Sequence, residues 1–281
     1  MNRILIFGAG GFTGGRLVLA AQRAGWQVTA PSRNLVDITE PHTVSRRIKE
    51  ERPDVVVNAA AMAGIDRAEI NQAEAYQVNT SGAVNIARSC AELGSKHIFF
   101  SSDAVFDGTA AICSEDASTN PLNYYGFTKA EAERQITEIN SGAVILRVAL
   151  ILGFPVAGGN SYLAGTQRRL QAGETVPAPR DEIRTPVDIH TLCTAVLELT
   201  QSAFSGILHL GALESINRYD LTCQIATRLG FDTKNILPDP SLTGRALRHK
   251  NGILSVQRAQ QVLRTPMLPL EQTMERAFLN E

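Results

Sequence analysis

The N-terminal half of the chain alternates strictly between short apolar runs and longer runs with a helical pattern. Apolar strands are predicted at residues 3–7, 27–30, 54–60, 96–100 and 143–148. Helices are predicted at residues 16–24, 37–53, 68–94 and 124–139, with Thr39 as the cap of the second helix and Pro41 in its first turn. Such alternation predicts an α/β, Rossmann-type fold, in which a doubly wound parallel sheet carries helices on both faces. Ligands of such sheets bind beyond the carboxyl ends of the strands.

The regular alternation ends at Gly153. Residues 154–185 mix Gly, Pro and Arg, and they predict loops around one helix, Ser161–Ala172. A second helix is predicted over Asp188–Thr200. The apolar run GILHLG at 206–211 predicts a short strand that rejoins the sheet. The chain is therefore expected to leave the sheet and return to it.

The C-terminal segment, residues 212–281, predicts a helix over Arg218–Leu229, a proline-rich linker around PDP and two further short helices. We therefore expect two interleaved units. The dinucleotide-binding core comprises residues 1–153 plus 186–211. A smaller C-terminal lobe, expected to bind the substrate, comprises 154–185 plus 212–281.

Formal charges nearly cancel, with 27 basic and 28 acidic residues, and the basic residues form no long run. We therefore predict neither a nucleic-acid partner nor an anionic membrane. The apolar run within MNRILIFGAG is too short for a signal peptide. The most apolar segment, AVILRVALILGF, contains Arg147 and is too short to span a bilayer. These features predict a soluble, cytoplasmic protein.

The cysteines and histidines are scattered along the chain. The cysteines form no C-x-x-C pair, which argues against a zinc site or a disulfide framework and suits a reducing compartment. The histidines form no H-E-x-x-H, and each is predicted to be a surface or capping residue. We therefore predict no metal. These residues are Cys90, Cys113, Cys193, Cys223, His42, His97, His190, His209 and His249.

A glycine-rich loop follows the first strand and opens the first helix. Gly8 permits a tight turn, Gly11 lets a pyrophosphate approach the helix N-terminus, and Gly14 permits close packing of the helix. The spacing is G-x-x-G-x-x-G rather than the commoner G-x-G-x-x-G. The alternative is a glycine-rich turn without a ligand. The flanking strand and helix favour a dinucleotide site.

The second strand ends in Ala30-Pro31-Ser32-Arg33, without the acid that usually binds the ribose 2′-hydroxyl of NAD. Arg33 could pair with the 2′-phosphate of NADP, although an ordinary surface arginine is an equal alternative. The sequence therefore predicts NADPH as the cofactor and leaves NADH open.

Residues 101–129 carry the candidate chemistry. Tyr125 and Lys129 lie four residues apart at the start of a helical pattern, which places both side chains on one face. A cation near a tyrosine is expected to lower the tyrosine pKa from about 10. Ser102, at the end of the fourth strand, could hydrogen-bond the same carbonyl oxygen as the tyrosine. These groups could protonate a carbonyl oxygen while a hydride reaches the carbon.

These elements, in this order, resemble the extended short-chain dehydrogenase/reductase superfamily and, within it, the dTDP-4-dehydrorhamnose reductase family. The matching strings are GAGGFTGGRL, Asp37-Ile38-Thr39, RPDVVVNAAA, Ile65-Asp66-x-Ala68-Glu69, Val78-Asn79, SSDAVFDG and PLNYYGFTK. Downstream, RTPVDI, GILHLG and RHKNGILS look like degenerate forms of later family motifs. The similarity covers nearly the whole chain.

The resemblance implies roles for individual residues. Tyr125 would be the proton donor, Lys129 would orient it and hold the nicotinamide ribose, and Ser102 stands where the family has its catalytic Thr or Ser. The residues expected around the dinucleotide are Gly8, Gly11, Phe12, Thr13, Gly14, Arg33, Asp37, Ile38, Ala59, Ala60, Ala61, Tyr125 and Lys129. Those expected at the substrate are Ile65, Ser102, Asp103, Ala104, Leu150 and Arg184.

Two departures from the family pattern bear on the substrate. The family has a tyrosine where this chain has Ala104, and a tryptophan where it has Leu150. Both aromatics close on the sugar and nicotinamide in that family, so their loss enlarges the pocket. The resemblance therefore implies reduction of the keto group of a nucleotide-activated deoxysugar, with a different 4-keto sugar or a bulkier non-sugar ketone as alternatives.

A hypothesis of another class stays open. The chain also resembles the regulatory beta subunit of methionine adenosyltransferase, which keeps the cofactor site and acts as a binding partner. SSDxVFDG and the R-x-x-x-L-x-G form of residues 147–153 are similar there too. The expected partner of the reductase is a small molecule, most readily a sugar nucleotide. A homodimer is compatible with the sequence.

Several charged residues remain with two interpretations. Glu115 and Asp116 are predicted to lie in a solvated loop rather than to do acid–base work. Asp66 and Glu69 are explained by the preference for acids at a helix start. Arg184 could reach the site or merely anchor the lobe.

A small basic cluster is formed by Arg245, Arg248 and Lys250. It could bind a diphosphate of the substrate or form a solvated face. The family's proline in this motif is His249 here.

Overall fold

The structure, a computed structural model, describes residues 2–156, 158–238 and 245–279. Its strands are β1 Arg3–Phe7, β2 Gln27–Thr29, β3 Val55–Asn58, β4 Lys96–Ser102, β5 Val144–Val148, β6 Leu150–Leu152, β7 Val176–Pro177, β8 Ile183–Arg184, β9 Pro186–Asp188, β10 Gly206–Leu210, β11 Ile216–Asn217, β12 Ile236–Leu237 and β13 Asn251–Gly252.

The α-helices are α1 Phe12–Arg23, α2 Pro41–Glu51, α3 Ile65–Ile70, α4 Gln72–Tyr76, α5 Gly82–Leu93, α6 Tyr124–Ile139, α7 Tyr162–Gln171, α8 Ile189–Thr200, α9 Arg218–Arg228, α10 Gln257–Val262 and α11 Leu270–Ala277. A π-helical turn, Gln77–Ser81, joins α4 to α5. Within the described ranges, no helix combines the length and apolar character needed to cross a membrane.

The central sheet has six parallel strands in the order β2–β1–β3–β4–β5–β10. The chain moves outward from β1 to β2, then returns to the other side of β1 at β3. This reversal leaves a crevice at the carboxyl ends of β1 and β3, where doubly wound sheets bind ligands. The predicted fold class is confirmed, and so is the return of GILHLG to the sheet as β10.

Both faces of the sheet are covered, as the continuous apolar strands predict. One face packs against α1 and α8 through Leu17, Ala21, Leu192 and Val196. On the other face, α2, α5 and α6 cover the sheet through Val44, Ile48, Ile86, Cys90, Ala132 and Ile136. The buried sheet therefore supplies a rigid edge on which functional side chains can be positioned.

The helix predicted over 37–53 begins only at Pro41, and the prediction that Thr39 caps it is wrong. The Asp37 carboxylate accepts hydrogen bonds from the Thr39 backbone N–H and hydroxyl, at 2.9 and 2.8 Å, which forms a tight local turn. Glu40 is extended because it precedes a proline, and Pro41 takes the first helical position.

The helix predicted over 68–94 is interrupted twice. Asn71 ends α3 with non-helical backbone angles. In the π-helical turn, Asn79 and Thr80 point inward: the Asn79 amide bonds the Met62 backbone and the Thr128 hydroxyl, and the Thr80 hydroxyl donates to the Thr128 carbonyl. This turn therefore fixes α6 against the chain that follows β3.

A smaller set of elements lies beyond the sheet. Helices α7 and α9 pack together with the parallel pair β7–β12 around Leu170, Val176, Ala226 and Ile236. The segment around α10 returns to the sheet, where Ala259 and Leu263 join the main core. The proline-rich linker predicted around PDP falls largely outside the described residues.

A buried ion pair joins α6 to β5. The Arg147 guanidinium lies 2.6 Å from the Glu133 carboxylate, and both side chains are almost completely buried. Glu133 also accepts a hydrogen bond from the Ser101 hydroxyl, one residue before the site residue Ser102. The orientation of α6 relative to the end of β4 therefore depends on a charge pair that water does not screen.

Replacing Glu133 by alanine is expected to lower the unfolding free energy by about 3–5 kcal/mol, because Arg147 would remain buried without its counter-charge. Urea denaturation measures this change. Glu138→Ala on the same helix removes an exposed partner of Arg134 and should leave the midpoint unchanged. Equal midpoints for Glu133→Ala and the wild type would contradict the assigned role of the pair.

Candidate active site

The turn between β1 and α1 packs directly on the end of β3. Gly8 has a φ of +86°, and a Cβ there would lie 2.5 Å from the Ala59 carbonyl carbon and the Ala60 nitrogen. A Cβ on Gly14 would lie 2.3 Å from the Gly8 carbonyl oxygen. Only glycine fits at either position. The first turn of α1 therefore sits at the crevice of the sheet.

A cavity of about 500 Å³ opens beside this turn. Gly11 is the N-cap of α1 and provides no side-chain cap, so the first-turn N–H groups of α1 stay available to an anion. This cavity, whose floor is the glycine turn, fits a dinucleotide; we call it the glycine-floored cradle. Of the residues predicted for cofactor binding, the cavity is lined by Gly8, Gly11, Arg33, Asp37, Ile38, Ala59, Ala60 and Ala61.

At the outer end of this cavity, Arg33 forms an ion pair with Asp37 at 3.6 Å, and the Arg33 side chain is 68% exposed. The Thr39 backbone N–H is the main cause of the lowered pKa of Asp37, with a smaller contribution from Arg33. Arg33 is thus placed at the cavity mouth, with most of its side chain in solvent.

A second cavity, also about 500 Å³, adjoins the first and shares Gly11, Ala59 and Ala61 with it. It brings together every residue predicted for the substrate and the two predicted hydroxyls, Ser102 and Tyr125. The predicted residues that line it are Phe12, Thr13, Ile65, Ser102, Asp103, Ala104, Tyr125, Leu150 and Arg184. Gly14 and Lys129 line neither cavity; Gly14 packs under the turn and Lys129 is buried.

The position of Tyr125 is set by the residue that follows it. A Cβ on Gly126 would lie 2.0 Å from the Ala104 carbonyl oxygen, so the start of α6 packs directly on the chain after β4. The Asn123 side chain caps α6 by accepting a hydrogen bond from the Gly126 N–H at 2.9 Å. Cap and glycine together hold the tyrosine beside Ser102.

Asp103 is a buried carboxylate in the wall of the second cavity. It accepts a hydrogen bond from the Ser102 hydroxyl at 3.0 Å, forms an ion pair with the Arg184 Nε at 3.0 Å, and lies 2.9 Å from the His249 Nε2. Burial raises the pKa of Asp103, but His249 and Arg184 together outweigh it and hold that pKa below its ordinary value. A Cβ on Gly252 would lie 2.6 Å from His249 and 2.8 Å from Asp103, so this group of side chains requires glycine there.

The expected lowering of the Tyr125 pKa by Lys129 is wrong for this structure. Burial raises the pKa of Tyr125 to about 12, opposed by the Ser102 hydroxyl. Burial also lowers the pKa of Lys129 to about 7, opposed by Glu133. The Lys129 ammonium lies 4.1 Å from the centre of the Phe99 ring. Desolvation outweighs the pairing predicted from the four-residue spacing.

Each residue of the predicted basic cluster has a carboxylate partner. Arg245 pairs with Glu182 at 2.8 Å, and Lys250 pairs with Asp181 at 2.9 Å. Arg248 pairs with Asp66 at 2.8 Å. Asp66 therefore links the C-terminal segment to the core. The interpretation of Asp66 as an acid that merely favours the start of a helix did not include this role.

Glu69 has a similar tie. It accepts a hydrogen bond from the Tyr124 backbone N–H at 2.9 Å, at the start of the tyrosine helix. The two acids of α3 thus bind separate segments that border the second cavity.

Two other predictions are wrong because the burial of polar groups could not be inferred. Glu115 is buried rather than solvated, and its carboxylate accepts a hydrogen bond from the His209 backbone N–H at 3.2 Å. His97, His209 and His249 are buried rather than on the surface. Burial lowers the pKa of His97 to about 4 and that of His209 to about 3.

Sequence reasoning missed the roles of Asn79, Gly126 and Gly252. Asn79 was visible only as part of a matching string, because nothing in a single sequence marks a π-helical turn. Gly126 follows the tyrosine directly, and a glycine in the first turn of a helix was the available signal. Gly252 lies in an irregular segment whose partners are distant in sequence.

The fold and the two joined cavities define an oxidoreductase class, the extended short-chain dehydrogenase/reductases, in which a dinucleotide lies across the sheet crevice. Residues 1–280 match the family described as RmlD substrate binding domain, and the chain belongs to that family. The predicted resemblance is confirmed.

Individual relatives point in two directions. The chain is 30% identical to dTDP-4-dehydrorhamnose reductase of Mycolicibacterium smegmatis, over 98% of this chain and 85% of that protein. It is 28% identical to methionine adenosyltransferase 2 subunit beta of Bos taurus, over 92% of this chain and 82% of that protein. Among solved structures, dTDP-4-dehydrorhamnose reductase from Bacillus anthracis in complex with NADP is 25% identical, with a TM-score of 0.91 and 98% coverage of both chains.

The burial of Lys129 predicts a pH dependence of stability. The unfolded chain holds a lysine of pKa 10.5, against about 7 in the fold, so it binds more protons than the native state between these values. The unfolding free energy should therefore rise with pH across that window, on the order of a few kcal/mol. Lys129→Met should remove this rise.

Urea titrations between pH 7 and pH 10 would measure the slope for the wild type and the variant. Lys49→Met is the matched control, because Lys49 is an exposed lysine outside both cavities. Parallel pH curves for Lys129→Met and the wild type would contradict the lowered pKa.

Proposed function

We propose that the protein is an NADPH-dependent ketoreductase that reduces the keto group of a nucleotide-activated deoxysugar. The observation that carries the proposal is the convergence of Ser102 and Tyr125 on a cavity that is continuous with the glycine-floored cradle. The names of the reductase relatives and the NADP complex of a similar structure support both the reaction and the cofactor.

In the proposed reaction, Tyr125 transfers its hydroxyl proton to the substrate carbonyl oxygen. A bound nicotinamide supplies the hydride that reaches the carbonyl carbon. Ser102 donates its hydroxyl proton to Asp103 at 3.0 Å in this structure, and it would turn that proton to the substrate carbonyl oxygen. Tyr125 with a pKa near 12 is fully protonated at neutral pH, which suits a proton donor. Lys129, one helical turn after Tyr125 on α6, would orient the tyrosine and bind the nicotinamide ribose.

For the cofactor, we propose that the α1 N-terminus binds the pyrophosphate. The residues assigned to it are Gly8, Gly11, Phe12, Thr13 and Gly14. Asp37 and Ile38 would lie by the adenine, and Ala59, Ala60 and Ala61 along the dinucleotide. Arg33 at the cavity mouth would meet a 2′-phosphate, which favours NADPH over NADH.

For the substrate, we propose a sugar nucleotide with a wider sugar site than that of the reductase relatives. Ala104 and Leu150 line the second cavity where the family has aromatic residues. Ile65 and Arg184 complete its wall. The missing aromatic surface admits a bulkier ketone, so sugars with larger substituents are the first substrates to try.

The regulatory-subunit hypothesis is not favoured. The methionine adenosyltransferase relatives support it by similarity alone. The tyrosine and serine side chains that line one cavity supply a reason for catalysis that a purely regulatory role does not require.

We also propose the division into a dinucleotide-binding core, residues 1–153 plus 186–211, and a substrate lobe, residues 154–185 plus 212–281. Helices α7 and α9 pack in a cluster of their own, which supports a separate lobe. The segment around α10 packs against the main core instead. All four cysteines are unpaired, which supports a reducing, cytoplasmic location.

Tyr125→Phe should lower kcat by about 10²- to 10⁴-fold, because the proton donor is lost while the ring is kept. The dissociation constant of NADPH should stay nearly unchanged. NADPH oxidation with dTDP-4-keto-6-deoxyglucose measures the rate, and titration calorimetry measures cofactor binding. Tyr124→Phe, at the adjacent position, is the control; unchanged turnover in Tyr125→Phe would refute the assignment.

Arg33→Ala should raise the KM for NADPH by about fivefold and leave the KM for NADH unchanged, because an exposed charge contact is worth up to about 1 kcal/mol. Steady-state kinetics with both cofactors measures the difference. Arg46→Ala is the matched control, since Arg46 has the same exposure of 68% but lies on α2 outside the cavity. Indistinguishable KM values for the two cofactors in the wild type would exclude the preference for NADPH.

A further inference from the structure

The second cavity has an excess of positive charge that its ion pairs do not cancel. Four arginines line it: Arg184, Arg218, Arg245 and Arg248. Three of them have carboxylate partners within 3.0 Å, in Asp103, Glu182 and Asp66. Within the described ranges, Arg218 alone of these four has no carboxylate at ion-pair distance. The cavity wall therefore presents one uncompensated guanidinium.

Arg218 is held in place although its charge is unpaired. It is the first residue of α9, and its backbone N–H donates to the Glu182 carbonyl at 2.9 Å. Its guanidinium lies 4.0 Å from the centre of the Tyr162 ring, and the Tyr162 hydroxyl is in turn hydrogen-bonded to Thr222. A guanidinium with one face on an aromatic ring keeps its in-plane N–H groups directed outward.

One of those donors lacks a partner. The Arg218 Nε is buried and has no hydrogen bond, which is uncommon for a polar atom in a folded protein. Burial is the main cause of the lowered pKa of Arg184, and Arg218 contributes to the lowering, as expected for neighbouring like charges. An anion bound where Arg218 lines the cavity would neutralise its charge and relieve the repulsion between the two cations.

We propose that Arg218 binds the diphosphate of the substrate. This inference rests on the proposed function, because it names the group by which a nucleotide-activated substrate is held. A planar guanidinium matches two phosphate oxygens at once, and each charge-assisted bond is stronger than a neutral one.

The proposal moves the diphosphate site away from the basic cluster predicted from the sequence. Arg245 and Arg248 would have to give up Glu182 and Asp66 before they could bind phosphate. Arg218 needs no such exchange. The pyrophosphate of the cofactor has its own cradle at the N-terminus of α1, in the other cavity.

The test compares dTDP with thymidine, which lacks phosphates, by titration calorimetry of protein saturated with NADP⁺. The wild type should bind dTDP more tightly than thymidine. Arg218→Gln should weaken dTDP binding on the order of 10- to 100-fold and leave thymidine binding unchanged. Arg218→Lys should recover part of the loss. The salt dependence of dTDP binding should be shallower in Arg218→Gln.

Arg228→Gln is the matched control, because Arg228 is an exposed arginine at the other end of α9. Thermal unfolding of each variant checks that the fold is kept. Equal dTDP affinities for Arg218→Gln and the wild type would overturn the proposal. So would a wild type that binds dTDP no better than thymidine.

A separate assay distinguishes this failure from failure of the proposed function. If the wild type oxidises NADPH with dTDP-4-keto-6-deoxyglucose and Arg218→Gln has the same KM, the reductase stands and the Arg218 site is wrong. If dTDP binding depends on Arg218 but no ketosugar is reduced, the site stands and the reductase is wrong.

Discussion

The arrangement of the candidate active site depends on the pairing of one buried negative charge, the Asp103 carboxylate, with polar and charged partners. Asp103 follows the fourth strand directly and is almost completely buried, and a buried carboxylate is tolerated only with partners. Those partners come from the C-terminal part of the chain: Arg184 ends a short strand, and His249 precedes another. Satisfying the charge therefore fixes these segments against the core. The wall of the second cavity is a consequence of that attachment.

The core of the fold could be predicted because its signals are local. Strands, helices and the glycine turn follow from periodicity and residue type within short windows, and α6 matched its predicted bounds, Tyr124–Ile139. The predicted start of α2 was wrong because the Asp37 side chain hydrogen-bonds the Thr39 backbone N–H and holds that segment in a turn. The π-helical turn could not be predicted, because the residues that hold it, Met62 and Thr128, are distant from it in sequence.

The site residues were found as a set, but their electrostatics were not. Spacing alone places Tyr125 and Lys129 on one face, yet it does not reveal that Lys129 lies under Phe99 with its charge desolvated. In the same way, the small basic cluster of Arg245, Arg248 and Lys250 looks like a phosphate site until the carboxylate partners of these residues are visible. Asp66 and Glu182 lie far from Arg248 and Arg245 in sequence, and only the fold brings each pair together.

The π-helical turn at Gln77–Ser81 has a geometric consequence for the helix that follows it. One residue corresponds to about 100° of rotation in an α-helix, so a regular helix in its place would change the angular phase of α5. Ala83, Ile86, Ala87 and Cys90 now face the sheet and neighbouring helices. The irregular turn thus acts as a phase correction: it lets Asn79 and Thr80 face α6 while the apolar stripe of α5 keeps its alignment with the core.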